Sequence, residues 1–260
     1  MFIGRCARID IVGYQNKGFE NARYNISAAT FVPVGGSRDT MTLGDIKPSE
    51  DFVNSAISFM TPGGATAKVT FQGSQVSATY VYWTEDDEPE AGEAGWYLYD
   101  DDDATVNQNG VVIPFGTGFL VNRNSSEVDA TLCYAGEVDT EPVTKSFPSA
   151  RYNIAGNCSP TQITLGDITP NATFVNSAIS FMTPGGATAK VMFQGAEVSA
   201  TYVYWTEDDE PEAGEAGWYL YDDDDATVNQ NGVVLAAGQG FLVNRNASET
   251  DATLTIPSAL

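Results

Sequence analysis

Residues 76–112 read VSATYVYWTEDDEPEAGEAGWYLYDDDDATVNQNGVV, and residues 198–234 repeat them without a change. The stretch opens in strict alternation. Val76, Ala78, Tyr80 and Tyr82 lie on one face of an extended chain, and Ser77, Thr79, Val81 and Trp83 on the other. β-Branched and aromatic residues at a period of two predict a strand with one face better buried than the other. Residues 84–95 hold six carboxylates, two glycines and one proline, which leaves nothing to bury and predicts a loop. Trp96-Tyr97-Leu98-Tyr99 resumes the strand pattern, so the unit reads as a long-looped hairpin. Asn109-Gly110 marks the next tight turn before Val111-Val112-Ile113, because both residues tolerate positive φ.

Working outward, the repetition extends far beyond this stretch. Between residues 42–132 and 164–254, 78 of 91 positions are identical, at an offset of 122. Earlier segments recur at an offset of 128: Lys17, Phe19 and Ala22-Arg23-Tyr24-Asn25-Ile26 return as Lys145, Phe147 and Ala150-Arg151-Tyr152-Asn153-Ile154. The first copy therefore carries six extra residues near 32–38. Each copy is long enough to bury a core of its own. Turn signals at short intervals, with no 3.6-residue pattern anywhere, predict an all-β chain of two tandem homologous β-sandwich domains from an internal duplication. The expected boundaries are 1–138 and 139–260. Arg8 to Tyr14 alternates and predicts an extra strand in the first domain; the matching place before the second copy holds Glu141-Pro142, so an open sheet edge is expected there.

The chain carries a formal charge of −23, from 35 acids against 12 Lys+Arg. Residues 85–103 contribute ten of those acids and residues 207–225 ten more, which leaves 15 against 12 elsewhere. The charge is two patches on a near-neutral body. Such patches repel phosphate backbones and argue against nucleic acid as a partner. The chain has no histidine, which removes His-based acid–base chemistry and Ser-His-Asp triads. Cys6, Cys133 and Cys158 show no metal spacing; one disulfide with a free thiol, or three reduced thiols, both remain open. No apolar run is long enough to span a membrane, and the first twelve residues lack the apolar core of a signal peptide.

Three segments recur in both copies: Thr42-Leu43-Gly44-Asp45-Ile46, the acidic Trp/Tyr stretch, and Gly116-Thr117-Gly118-Phe119-Leu120-Val121 with its counterpart at Gly238 to Val243. In these the chain resembles duplicated secreted or surface β-domain proteins of bacteria. That resemblance implies export and assigns no functional residue. The two glycines of the last segment predict a bend or bulge.

Two groups of side chains are candidate sites. Glu85, Asp86, Asp87 and Glu88 with Asp100, Asp101, Asp102 and Asp103, and in the second copy Glu207, Asp208, Asp209 and Glu210 with Asp222, Asp223, Asp224 and Asp225, offer hard oxygen ligands of the kind calcium takes. Their spacing does not match a helix–loop–helix calcium loop, and a solvated, solubilising loop is the competing reading. Tyr82, Trp83, Trp96 and Tyr97, with Tyr204, Trp205, Trp218 and Tyr219, place flat rings beside acids, as a sugar-binding face does; ordinary cross-strand packing competes with that. The carboxylates lie in polar runs with no apolar pocket to raise a pKa, so no glycosidase pair is assigned and no enzymatic activity is expected. Lys68 and Lys190, in strands, raise an internal isopeptide bond against an ordinary surface lysine, and five Asn-x-Ser/Thr sites (Asn25, Asn124, Asn157, Asn171 and Asn246) would matter in a glycosylating cell. The sequence thus predicts an extracellular or cell-surface structural or adhesive module, self-associating into a filament or layer, with calcium as the candidate cation. The alternative is a bivalent carbohydrate-binding protein with glycans as partners.

Overall fold

The computed structural model describes residues 12–21, 24–52, 55–84, 90, 92–123, 128–149, 152–174, 177–206, 212, 214–245 and 250–257. The chain is all-β: among these residues there are antiparallel strands and single 3-10 turns and no α-helix. Among the described residues no helix is long and apolar enough to cross a membrane.

Each copy builds the same sheets. In the first, Asn25–Ala28, Gly118–Asn122, Ala56–Ser58, Thr79–Trp83 and Gly95–Leu98 form a five-stranded sheet in that order. Val12–Phe19, Ala130–Glu137 and Ile46–Pro48 form a three-stranded one. The second copy orders Asn153–Gly156, Gly240–Asn244, Ala178–Ser180, Thr201–Trp205 and Gly217–Leu220 in its five-stranded sheet. Register repeats as well: Tyr80 faces Leu98 and Ile57, and Tyr202 faces Leu220 and Ile179. Side chains from the two sheets of the first copy share one buried cluster, with Phe19, Leu132 and Tyr134 from one and Ile57, Tyr80, Trp96 and Phe119 from the other.

The central strand differs from the sequence pattern in one respect. Residues 76–83 are not continuous: Ser74–Ser77 pairs with Lys68–Phe71 as a separate hairpin, and Thr79–Trp83 joins the five-stranded sheet. Ala78 is the break, donating to Ala67 O at 2.8 Å and accepting from Phe59 N at 3.1 Å. A small buried residue lets the chain pass from one sheet to the next without a side chain in the way. Asn109-Gly110 turns the chain, but toward Thr42, which bridges Val112, rather than into a local hairpin.

The second copy has no open edge of the kind expected. Val143–Phe147 starts directly after Pro142 and pairs with Ala252–Ile256, Lys145 opposite Leu254, just as Lys17 stands opposite Leu132. Proline lacks a donor only at its own position, so it ends the connection without preventing the strand behind it. In the first copy the strand begins, as described, at Val12 and pairs within its own copy with residues 130–137. Cys6 and residues 8–11 of the expected strand lie outside the described residues.

The recurring motif Thr42-Leu43-Gly44-Asp45-Ile46 is a structural turn. Asp45 Oδ2 accepts from Thr42 N at 2.8 Å and Thr42 Oγ1 at 2.9 Å, a reciprocal cap of the 3-10 turn. Leu43 and Ile46 are fully buried, and the Ile46 carbonyl accepts from the Trp96 indole at 3.3 Å. Arg123 is buried under the first copy's sheet. Its guanidinium donates to Asp51 O at 2.8 Å, to Ser55 Oγ at 2.6 Å and to Val128 O, and lies 5.5 Å from the Phe52 ring centroid. Arg245 repeats this with Thr173 O, Ser177 Oγ, Thr250 O and Phe174. Arg123→Met takes a donor from two carbonyls inside the fold and should lower stability by about 1–3 kcal/mol. Urea unfolding would measure it; an unchanged midpoint would show that water replaces the guanidinium at no cost.

Candidate functional site

The aromatic candidates divide sharply. Trp96, Tyr97, Trp218 and Tyr219 are fully buried. Trp96 packs edge-on against Phe52 at 5.9 Å and Tyr82 at 5.4 Å, and Tyr97 OH donates to Glu93 O at 2.6 Å. These rings belong to the core and have no face to offer a sugar. Tyr82 is half-buried against Trp96. Trp83 and Trp205 are half-exposed at the hairpin mouth, opposite Gly95 and Gly217, each tilted at 6.3 Å against the buried tyrosine diagonal to it. The strand Gly95–Leu98 lies at the sheet edge, and residues 107–109 cover it: Trp96 N donates to Asn109 Oδ1 at 3.0 Å, and Trp96 O accepts from Gln108 N at 2.7 Å. Covered in this way, the edge is closed to another strand.

The four aspartates of the following turn do not act together. Asp101 is buried and turned inward, accepting from Thr105 Oγ1 at 2.9 Å and Val106 N at 3.0 Å. Asp223 does the same with Thr227 and Val228. These bonds hold a turn that places Ala104 and Ala226 at φ +49°, an uncommon conformation for a residue other than glycine. Asp100 accepts from Ser77 N at 3.2 Å at the surface, while Asp102 and Asp103 are exposed, as are Asp222, Asp224 and Asp225. Glu90 N donates to Asp103 O at 3.0 Å, which places Glu90 against the acidic turn. Glu85, Asp86, Asp87 and Glu88, and Glu207, Asp208, Asp209 and Glu210, lie outside the described residues. Among the described residues no three carboxylate or thiol side chains are grouped so as to hold a metal ion.

The structure brings together a set of residues that the sequence pattern does not single out. The outer strands Asn25–Ala28 and Asn153–Gly156 meet, and their contacts are reciprocal. A Cβ on Gly240 would lie 2.2 Å from Ile26 Cγ2; one on Gly118 would lie 2.4 Å from Ile154 Cγ2. Each copy thus seats its isoleucine on the bare backbone of the other's Gly-x-Gly segment; the expected bend falls at the first glycine, Gly116 at φ +72° and Gly238 at φ +65°, while Gly118 and Gly240 open the strands behind it. The Tyr24 ring lies on Gly186 and the Tyr152 ring on Gly64. Both tyrosines hold φ near +60°, costly for so large a residue, and both are half-exposed. Between them runs an apolar groove of about 460 Å³, lined in matching pairs such as Met60 with Met182 and Leu120 with Leu242.

Two lysines border this joint. Lys17 Nζ donates to Ala237 O at 3.3 Å, beside Gln15 Nε2, which donates to the same carbonyl at 3.0 Å. Lys145 Nζ reaches Thr117 Oγ1 at 3.4 Å in the opposite direction. Desolvation lowers both ammonium groups, Lys17 to about 8. Burial pushes the nearby Cys158 thiol up to about 11, away from the reactive thiolate. Lys17 and Lys145 were legible as a repeated pair in the sequence, but nothing in their spacing showed that each serves the other copy. Lys68 and Lys190 bond to Ser77 and Ser199 hydroxyls on exposed hairpins, as surface lysines do.

Comparison with family models, with characterised proteins and with solved structures finds no match.

Two outcomes are expected from this geometry. Asp101→Ala removes two bonds to a buried carboxylate and should cost about 1–3 kcal/mol, whereas Asp102→Ala should stay within about 0.5 kcal/mol of the parent; equal effects in thermal melts would mean the inward aspartate is not special. The second concerns Lys17. Below pH 8 it is protonated both folded and unfolded, and the cost of desolvating its charge is fully present. Between pH 8 and the ordinary lysine value the unfolded chain binds more protons, so stability rises with pH. The melting temperature of the parent should therefore gain on that of Lys17→Met from pH 7.5 to 10, and parallel curves would contradict the assignment.

Proposed function

We propose that the chain is an internally duplicated pair of β-sandwich modules, exported or displayed at a cell surface, that serves as a structural or adhesive unit rather than a catalyst. The observation that carries this reading is the reciprocal joint. It fixes two identical faces relative to one another, each with an outward acidic turn at Asp100, Asp102 and Asp103 or at Asp222, Asp224 and Asp225. One rigid body with the same face twice contacts two partners at once, and linked sites gain avidity without new contacts. Exposed carboxylates repel between molecules, and a divalent cation such as calcium, which prefers oxygen ligands, offsets that repulsion by bridging them. Light scattering at rising protein concentration should show self-association that millimolar calcium strengthens more than NaCl of equal ionic strength. A monomer at every concentration, with and without calcium, would remove this reading.

A second reading keeps one supporting observation. Trp83 and Trp205 hold part of each ring in solvent beside the acidic loops, as a bivalent glycan-binding face would. Glycan-array binding that disappears in Trp83→Ala/Trp205→Ala would favour it over the first.

A further inference from the structure

The joint between the copies is self-complementary in its main contacts. Tyr24, Ile26, Met60, Gly64, Gly118 and Leu120 make up one side, and Tyr152, Ile154, Met182, Gly186, Gly240 and Leu242 the other, residue for residue the same. An isologous contact of this kind uses one patch twice, residue i meeting j and j meeting i. Within these twelve positions nothing distinguishes a copy in the same chain from a copy in another; beside them Ala28 stands where the second copy has Gly156, and a Cβ on Gly156 would lie 2.7 Å from Ala28 Cβ, so a second copy accepts its own kind and a first copy does not.

What keeps the pairing within one chain lies outside the patch, in the six residues that only the first copy has. Val32 bridges Glu137 in both directions, at 3.0 and 2.8 Å, and Gly35 N donates to Glu137 Oε1 at 2.7 Å. Arg38 grips the connection beyond: its guanidinium pairs with Asp139 and donates to the carbonyls of Glu141 and Pro142 while lying 5.9 Å from the Phe115 ring centroid. Val32 and Phe115, both first-copy residues, join the buried cluster of the second copy. The insertion therefore ties down the connection that joins the copies.

We propose that the joint is exchangeable: copies from different chains pair through the same patch once the Arg38 clamp opens, the partner being a second molecule of this chain. This rests on reading the chain as a self-associating module, and it names the surface used. The glycine contacts make the proposal sharply testable, because the nearest atoms to a Cβ on Gly118 all belong to the second copy and those to a Cβ on Gly240 all belong to the first. Blocking Gly118 alone prevents closure within a chain yet leaves the second copy able to pair with the second copy of another chain.

The test uses full-length protein and light scattering after incubation at high concentration. Arg38→Glu, which leaves every residue of the patch intact, should convert a substantial fraction of monomer into species of two or more chains. Arg38→Glu/Gly118→Val should form a discrete dimer of doubled mass, since each chain keeps one usable patch. Adding Gly240→Val should return it to monomer, with the β-type circular dichroism spectrum and a cooperative melt retained. Should Arg38→Glu stay as monomeric as the parent, the joint does not exchange. Association that survives blocking both glycines runs through another face, which sinks the joint while sparing the self-associating module.

Discussion

The arrangement of this protein depends on backbone approaching side chain with no Cβ between them. At Gly118 and Gly240 an isoleucine of the opposite copy occupies the space that any larger residue would fill, 2.4 and 2.2 Å from where its Cβ would stand. Dispersion is short-ranged, so such a contact is either made closely or lost. Closeness here has consequences several residues away. It draws Tyr24 and Tyr152 onto the glycine turns at Gly186 and Gly64, desolvates Lys17 and Lys145, and leaves an apolar groove along the line where the copies meet.

The acidic patches obey a different constraint. Ten carboxylates in nineteen residues cannot all turn inward, and the turn spends one of them as a structural acceptor. Asp101 fixes Thr105 and Val106, which lets Ala104 adopt its left-handed conformation and sends the chain back along Gly95–Leu98 to cover that edge. Neighbouring Asp100, Asp102 and Asp103 remain in solvent, where a high dielectric keeps their mutual repulsion small. The patch is thus both a fold element and a charged surface, divided residue by residue.

How much of this was legible in the sequence follows from what a pattern can encode. Alternation placed Ala78 and Tyr80 on the buried face, since one face of a sheet must meet the core. The same alternation ran through the break at Ala78, because a change of sheet does not alter the period. Proline at 142 suggested an open edge, but a missing donor is local, and the next five residues pair normally. The buried aromatics at Trp96 and Tyr97 were visible as aromatics; their burial depended on Phe52 and Ile46, some fifty residues earlier. Arg123 and Arg245 gave no signal, since an arginine satisfied by distant carbonyls reads like any surface cation.

The six-residue insertion is the departure from repetition that bears most on how the copies are held together. Two matching patches joined by a short connection face each other at an effective concentration on the order of millimolar, which favours closure within the chain. Six extra residues in one copy reinforce that closure. They add a bridge at Val32, a bond from Gly35 and the Arg38 grip on residues 139–142, and they send Val32 into the neighbouring core. None of these contacts touches the paired surface. Matching side chains let each copy seat the other, and the asymmetric insertion holds the connection between them.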